Sequence, residues 1–182
     1  MVLATQKETF AALKEAAGYT NVMQTPKIVK VVISSGVGSI KDKKKLELIA
    51  GRLAIITGQA VALRNTTKSI ANFKSRVGDL AGYQITLRGV RATTFVEKLI
   101  HVVLPRVKDF RGLSPKAIDE MGNITIGLRE HTVFPETADE DAKDVFGLAV
   151  TIATSAKNKK DAEAYLRYIG LPLKESGDTS KR

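Results

Sequence analysis

The sequence predicts an α+β fold with a largely antiparallel sheet. Strand-like runs rich in Val and Ile cluster instead of alternating with helices, which argues against a doubly wound parallel sheet. Four segments carry apolar residues at three- and four-residue spacing, the signature of amphipathic helices. The chain has 182 residues, 43% of them hydrophobic, enough for one ordinary core. Neither an internal repeat nor a clear linker interrupts it. The reading is one α+β domain over 1–173, with a polar tail over 174–182 expected to be disordered.

The elements follow in order. "TQKETFAALKEAAG" reads as the first helix: Thr5 and Glu8 stand at capping-box spacing, Phe10, Leu13 and Ala17 form the apolar stripe, and Gly18 is the expected stop. "KIVKVVISSG", entered after Pro26, reads as a strand. "SGVGS" reads as a turn that needs positive φ. Asp42 is placed to cap a second helix, "KKKLELIAGRLAIIT", whose Leu46, Ile49, Leu53 and Ile56 share a face and which Gly58 ends. "AVALR" is a short strand. "NTTKSIANFKSR" reads as a turn followed by a strand over 71–76, "VGDLAG" as a loop, and "YQITLRG" as the strand that closes a basic hairpin. "RATTFVEKLIHVVL" is the third helix, with Phe95, Leu99 and Val103 on one face. The connector "LPRVKDFRGLSPK", the strands "NITIGL" and "FGLAVTIAT", and a last helix "KKDAEAYLRYI" ending at Gly170 complete the chain.

Composition removes several functions. There is no cysteine, so disulfides, zinc-thiolate sites and a cysteine nucleophile are excluded, and the chain fits a reducing cytosol. No apolar run approaches 18 residues, so no membrane helix is expected. "MVLATQKETF" lacks the charged start and apolar block of a signal peptide. His101 and His131 are lone histidines without a positioned partner, and read as surface or structural residues. The acids of "TADEDAKD" lack the spacing and glycine of an EF-hand, so they read as a solvated loop. "SGVGS" lacks the third glycine of a dinucleotide fingerprint, and no P-loop is present. Neither an enzyme, a cofactor nor a metal is expected.

Charge points toward a polyanion. The net charge is +10, and its distribution is uneven. Residues 26–116 hold 18 Lys and Arg against 5 Asp and Glu, whereas 119–144 hold eight acids against two bases. A segment this basic favours nucleic acid. Lys41, Lys43, Lys44 and Lys45 gather at the start of the second helix, where free N–H groups and the helix dipole also favour phosphate. Lys68, Lys74 and Arg76 lie along the hairpin, Arg88 and Arg91 at its end, and Arg106, Lys108 and Arg111 on the connector, which carries four cations against one acid. Arg forks suit bidentate phosphate contacts. Aromatic residues are only 5% of the chain and Trp is absent, so base stacking in the manner of an RRM is not the main expected mode. Hydroxyl and amide groups at Ser34, Ser35, Gln59, Thr66, Thr67, Ser69, Asn72 and Thr86 are candidate contacts, and each equally suits a turn or cap. The acidic stretch should face away from phosphate.

Several blocks are familiar in this order: "YTNVMQTPKI", "ITGQ", "KSIANFKSR", "ITLRG", "LPRVKDFRGLSP", "GNITIGLREH" and "TIATSAK". From about 18 to 172 the chain resembles the bacterial L-five family of the large ribosomal subunit, which binds 5S rRNA. The resemblance implies a concave antiparallel sheet with helices packed on one face, no catalysis, a cytoplasmic and ribosome-bound location, and a place on the central protuberance beside large-subunit rRNA. It implies 5S rRNA contacts at Lys27, Ser34, Gly36, Gly38, Gln59 and Thr86, which Lys68 and Arg88 extend. It implies that the segment Lys74, Ser75, Arg76, Val77, Gly78, Asp79, Leu80, Ala81 and Gly82 approaches peptidyl-site tRNA. Glu136, Asp139, Glu140, Asp141 and Asp144 would meet a basic protein on the small-subunit head. Two positions depart from the family pattern: Ser34 stands where Asn is usual, with shorter reach and no amide pair, and "VGDLAG" replaces "GMPIG", adding the charge of Asp79. A ribosome-assembly or RNA-modifying factor is the competing reading; it would require a pocket with paired acid and base groups or a cofactor motif.

Overall fold

A computed structural model describes residues 6–138 and 145–174. The main elements are α1 (Gln6–Ala17), β1 (Ile28–Gly36), α2 (Lys43–Thr57), β2 (Ala62–Asn65), β3 (Leu80–Arg88), α3 (Val90–Lys98), a short turn α4 (Leu104–Arg106), β4 (Ile124–Leu128), β5 (Leu148–Thr154) and α5 (Lys159–Tyr168). The strands form one five-stranded sheet in the order β2-β3-β1-β5-β4, and the class is α+β, as the clustering of strand runs predicts. Two compact units divide the described residues: 6–31, 88–126 and 151–174 in one, 32–87, 127–138 and 145–150 in the other.

In the first unit, α1 packs against α5. The alternation of β4 and β5 sends Ile124, Ile126 and Ile152 inward, where they join Phe95, Leu99, Val103 and Leu166. The predicted stripe of the third helix is therefore buried as a set. That helix does not run uniformly to its end. A π-helical turn over Leu99–Val103 follows α3, and α4 carries Pro105 in its first positions. Proline has no N–H to offer the carbonyl four residues back, at His101. A widened turn is a usual adjustment ahead of such a break. His101 is exposed.

In the second unit, α2 begins and ends where its punctuation predicts. The Asp42 carboxylate accepts from Lys44 N at 3.0 Å, and Gly58 takes the left-handed conformation at φ 65° with its N–H bonded to Ala54 O. Ile49, Leu53 and Ile56 are buried with Ile33, Ile85, Leu87 and Phe134. His131 is fully buried and stacked on Phe146 with 4.1 Å between ring centroids, and its Nδ1 accepts from Phe146 N at 3.4 Å. It is a packing residue.

Three expectations require correction. Residues 71–76 are not a strand. Ala71–Phe73 form a 3-10 turn, Lys74 follows at φ 52°, and only Ile70 and Ser75 pair across it. Local closure thus replaces sheet pairing, so two strands, not three, separate α2 from α3. The loop drawn to Gly82 ends earlier, because β3 already starts at Leu80. Finally, neither Gly36 nor Gly38 has positive φ: β1 continues through Gly36, and Val37 N bonds to Ala81 O at 3.0 Å. The capping residue expected at Thr5 lies outside the described residues, as do the tail positions from 175 onward.

Candidate nucleic-acid interface

The second unit displays a polar strand surface. Period-two alternation buries Ile33 and Ser35 of β1 and Tyr83, Ile85 and Leu87 of β3, leaving Val32, Ser34, Gln84 and Thr86 half-exposed. Antiparallel pairing sets Ala62 opposite Gln84 and Arg64 opposite Gly82. Residues opposite one another in such a pair share a face, and the Arg64 guanidinium accordingly donates through Nε to Gln84 Oε1. Gln59, just after α2, donates through Nε2 to Thr86 O at 3.4 Å. The surface carries a hydroxyl at Ser34, a hydroxyl at Thr86, amides at Gln59 and Gln84, and a guanidinium at Arg64. None of these strand positions bears a carboxylate.

The buried side of the same strands is fastened to neighbouring elements. Ser35 Oγ donates to Gly147 O at 2.8 Å, and Tyr83 Oη donates to Leu46 O at 3.1 Å. Burial pushes the Tyr83 phenol up, and the Glu47 carboxylate pushes it in the same direction. Gly82 lies so close to β1 that a Cβ there would stand 2.8 Å from Ser35 O, so only glycine fits.

The expected contacts are partly assembled. Gln59 and Thr86 meet directly. Ser34 occupies the exposed side of β1, and Gly36 and Gly38 are both exposed at its end. Lys68 is exposed in the extension between β2 and β3. Arg64 and Gln84 escaped the sequence reading; the alternation of "YQITLR" was the available signal for Gln84, but only strand register brings Arg64 beside it. Lys27, Arg88 and the connector belong to the first unit. Lys27 is exposed, with its backbone paired to Ser155: its N–H donates to Ser155 Oγ at 3.0 Å, and its carbonyl accepts from Ser155 N at 2.9 Å. Arg88 ends β3, exposed.

The extension over 66–79 is bound to itself. Thr66 N donates to Asp79 O at 2.8 Å and Gly78 N to Thr66 O at 3.0 Å. Thr66 Oγ1 donates to Arg76 O and, at 3.2 Å, to Asp79 O. The Asp79 carboxylate accepts from Arg76 N at 2.7 Å, and Val77 N donates to Ser69 Oγ at 3.0 Å. Asp79 thus spends one carboxylate oxygen closing its own turn. Leu80, Ala81 and Gly82, drawn into this loop by the sequence reading, stand in β3.

The connector is fastened differently. Asp109 has φ 55° and Gly112 φ 88°. Leu113 N donates to Pro172 O at 2.8 Å, and Lys174 N to Leu113 O at 2.9 Å. A Cβ on Gly112 would come within 3.2 Å of Lys174 Cγ and 3.3 Å of Pro172 O. Arg167 Nη2 holds Lys174 O at 3.0 Å while pairing with Glu163 at 2.9 Å. Arg106, Lys108 and Arg111 are exposed. Among the described residues, none of Lys68, Lys74, Arg76, Arg106, Lys108 and Arg111 forms an ion pair. Of the acidic set, Glu136 is exposed in the turn Pro135–Thr137; Asp139, Glu140, Asp141 and Asp144 lie outside the described residues. Among the described residues, no group of three or more His, Cys, Asp or Glu could hold a metal ion, and no helix is long and apolar enough to cross a membrane.

Comparison with known proteins meets this geometry. The family model described as ribosomal protein L5 matches residues 21–76, and the model describing the C-terminus of the same ribosomal family matches residues 80–173. The chain is 40% identical over 171 residues to the large ribosomal subunit protein uL5 of Anaeromyxobacter sp. (strain Fw109-5), covering 93% of this chain and 95% of that one. It is 42% identical over 177 residues to the uL5 protein of Halothermothrix orenii, covering 96% and 99%. To the uL5 protein of Natranaerobius thermophilus it is 45% identical over 162 residues, covering 88% and 90%. These relatives are structural ribosomal proteins, not enzymes. The chain belongs to the ribosomal L5 family of the large ribosomal subunit.

Proposed function

We propose that this chain binds 5S rRNA and helps attach it to the central protuberance of the large subunit. The observation that carries the reading is the strand surface of the second unit, where Ser34, Gln59, Arg64, Gln84 and Thr86 present donors and acceptors without a carboxylate. Such a set suits ribose hydroxyls, phosphates and base edges of a folded RNA. Lys27, Gly36, Gly38, Lys68 and Arg88 are the further contacts in this reading, with Arg106, Lys108 and Arg111 supplying phosphate contacts from the connector. The segment over 74–82 approaches peptidyl-site tRNA. The acidic stretch, through Glu136, Asp139, Glu140, Asp141 and Asp144, meets a basic protein of the small-subunit head, because like charge keeps it from phosphate.

Filter binding of the full chain tests the reading. Affinity for 5S rRNA should exceed that for an unrelated folded RNA at moderate salt and fall steeply as salt rises. Arg64→Ala should lower the salt slope by about 1 if its guanidinium neutralises one phosphate. Gln59→Ala should weaken binding by about 0.5–1.5 kcal/mol, one hydrogen bond's worth, without loss of fold. Equal affinity for both RNAs would overturn the assignment.

A further inference from the structure

Arg64 and Gln84 are bound to each other in a way that leaves the cation whole. In the β2–β3 ladder Arg64 stands opposite Gly82, and Ala62 stands opposite Gln84. The two small residues leave the two long side chains room to meet on the diagonal, within reach across an antiparallel pair. Gly82 can be nothing larger, because a Cβ there would stand 2.8 Å from Ser35 O. No side chain therefore competes for the place beside Arg64. The ladder slips directly after Arg64, between it and Asn65, and an irregularity of this kind re-aims the side chain next to it.

The chemistry of the contact is one-sided. A guanidinium has donors and no acceptor, so Gln84 must turn its amide oxygen to it, and Arg64 Nε donates to that oxygen. Among the described residues no other hydrogen bond or ion pair engages this guanidinium. Arg167 makes the contrast: the Glu163 carboxylate accepts from both its Nε and its Nη2, so its charge is already matched. A carboxylate at 84 would hold Arg64 as well and cancel its charge in the same way. The neutral amide fixes direction and leaves the charge unspent. With Nε engaged, the bidentate edge that remains is the Nη1–Nη2 end, two N–H groups side by side. Arg64 is exposed and Gln84 half-exposed, so that edge is open to solvent. The rotamer freedom an arginine ordinarily gives up on binding is here given up on folding.

We infer that Gln84 is a positioning residue that works through Arg64: it fixes the guanidinium by Nε so that the Nη1–Nη2 fork takes both non-bridging oxygens of one 5S rRNA phosphate. The inference rests on the RNA-binding reading above and deepens it, since of these two side chains Arg64 touches the RNA and Gln84 acts on Arg64.

The test is a double-mutant cycle with the full chain and 5S rRNA, read by filter binding over a series of salt concentrations. Gln84→Met keeps the length of the side chain and removes the acceptor. It should weaken binding about two- to tenfold, the worth of one hydrogen bond, and leave the salt slope unchanged because the cation remains. Arg64→Ala should weaken binding further and lower the slope by about 1. The variant carrying both changes should bind like Arg64→Ala alone. Gln84→Glu should keep the bond but cancel the charge, and so lower the slope as Arg64→Ala does. Melting temperatures should hold throughout, since neither side chain is buried. An added loss when Gln84→Met joins Arg64→Ala places Gln84 itself on the RNA. Wild-type affinity in Gln84→Met leaves it no role, and an unchanged slope in Arg64→Ala removes the phosphate. Each of these overturns the inference while preference for 5S rRNA stands. No preference of the unmodified chain for 5S rRNA over an unrelated folded RNA overturns the RNA-binding reading, and this inference with it.

Discussion

The extension over 66–79 and the connector over 104–116 are both basic and short, yet they are held in place by opposite means. In the extension every ordering bond is local: Thr66, Arg76, Gly78 and Asp79 satisfy one another, and Val77 N donates to Ser69 Oγ. In the connector the ordering bonds reach to Pro172 and Lys174, roughly sixty residues away, and Arg167 secures that strap in turn. A locally closed segment can hold its shape through partial opening of the domain around it. A strapped segment is ordered only while the C-terminal end is docked, so its order shares the stability of the first unit. If both segments touch RNA, one brings its geometry preformed and the other borrows it from the fold.

The sharpest way to break this contrast is at Gly112. A β-branched side chain there meets both a positive φ and the strap, so Gly112→Val should cost about 1–3 kcal/mol, read from urea denaturation. Amide exchange at Leu113 should accelerate, while exchange at Gly78 should not. Equal acceleration at both sites would show that the two segments open together and end the comparison.

Thr66→Val is the matching change in the extension. It removes the hydroxyl shared by the carbonyls of Arg76 and Asp79 at nearly constant volume, at a cost of about 1 kcal/mol. Because the loss is local, it should appear as faster exchange at Gly78 and Asp79 and weaker RNA binding, with the global denaturation midpoint nearly unchanged. A midpoint shift as large as that of Gly112→Val would mean that the extension is not self-contained.

Asp79→Asn should have the smallest effect and sharpens the electrostatic side. The amide oxygen can still accept from Arg76 N, so the turn should survive. Removing a negative charge beside Lys74 and Arg76 should raise RNA affinity modestly at low salt, and the gain should shrink as salt screens it. Binding titrations at two ionic strengths measure this. A loss of affinity at both would show that the carboxylate matters for turn closure more than its charge matters for repulsion.

The chain belongs to a family of the large ribosomal subunit, and much of its fold was legible in the sequence. Elements with local punctuation could be read directly: α2 has Asp42 before it, Gly58 after it and a 3.6-residue apolar period between. The buried stripe Phe95, Leu99 and Val103 was equally plain. Short segments of mixed character were not. "ANFKSR" alternates enough to pass for a strand, but a strand requires a partner, and pairing of Ile70 with Ser75 closes it into a turn instead. Gly36 and Gly38 invited a turn with positive φ, yet the strand runs through the first of them because Val37 finds Ala81 O.

By itself the sequence determined the class of fold, both ends of α2 and the basic character of residues 26–116, since these follow from propensity, period and charge, all properties of neighbouring residues. Tertiary structure alone decided which residues meet: Arg64 beside Gln84 through strand register, Gln59 on Thr86 O, and Gly112 beneath Pro172 and Lys174. Those contacts join residues from about 20 to 62 positions apart. Local preference cannot encode such proximity; it arises only when burial of the core fixes one register and excludes the others.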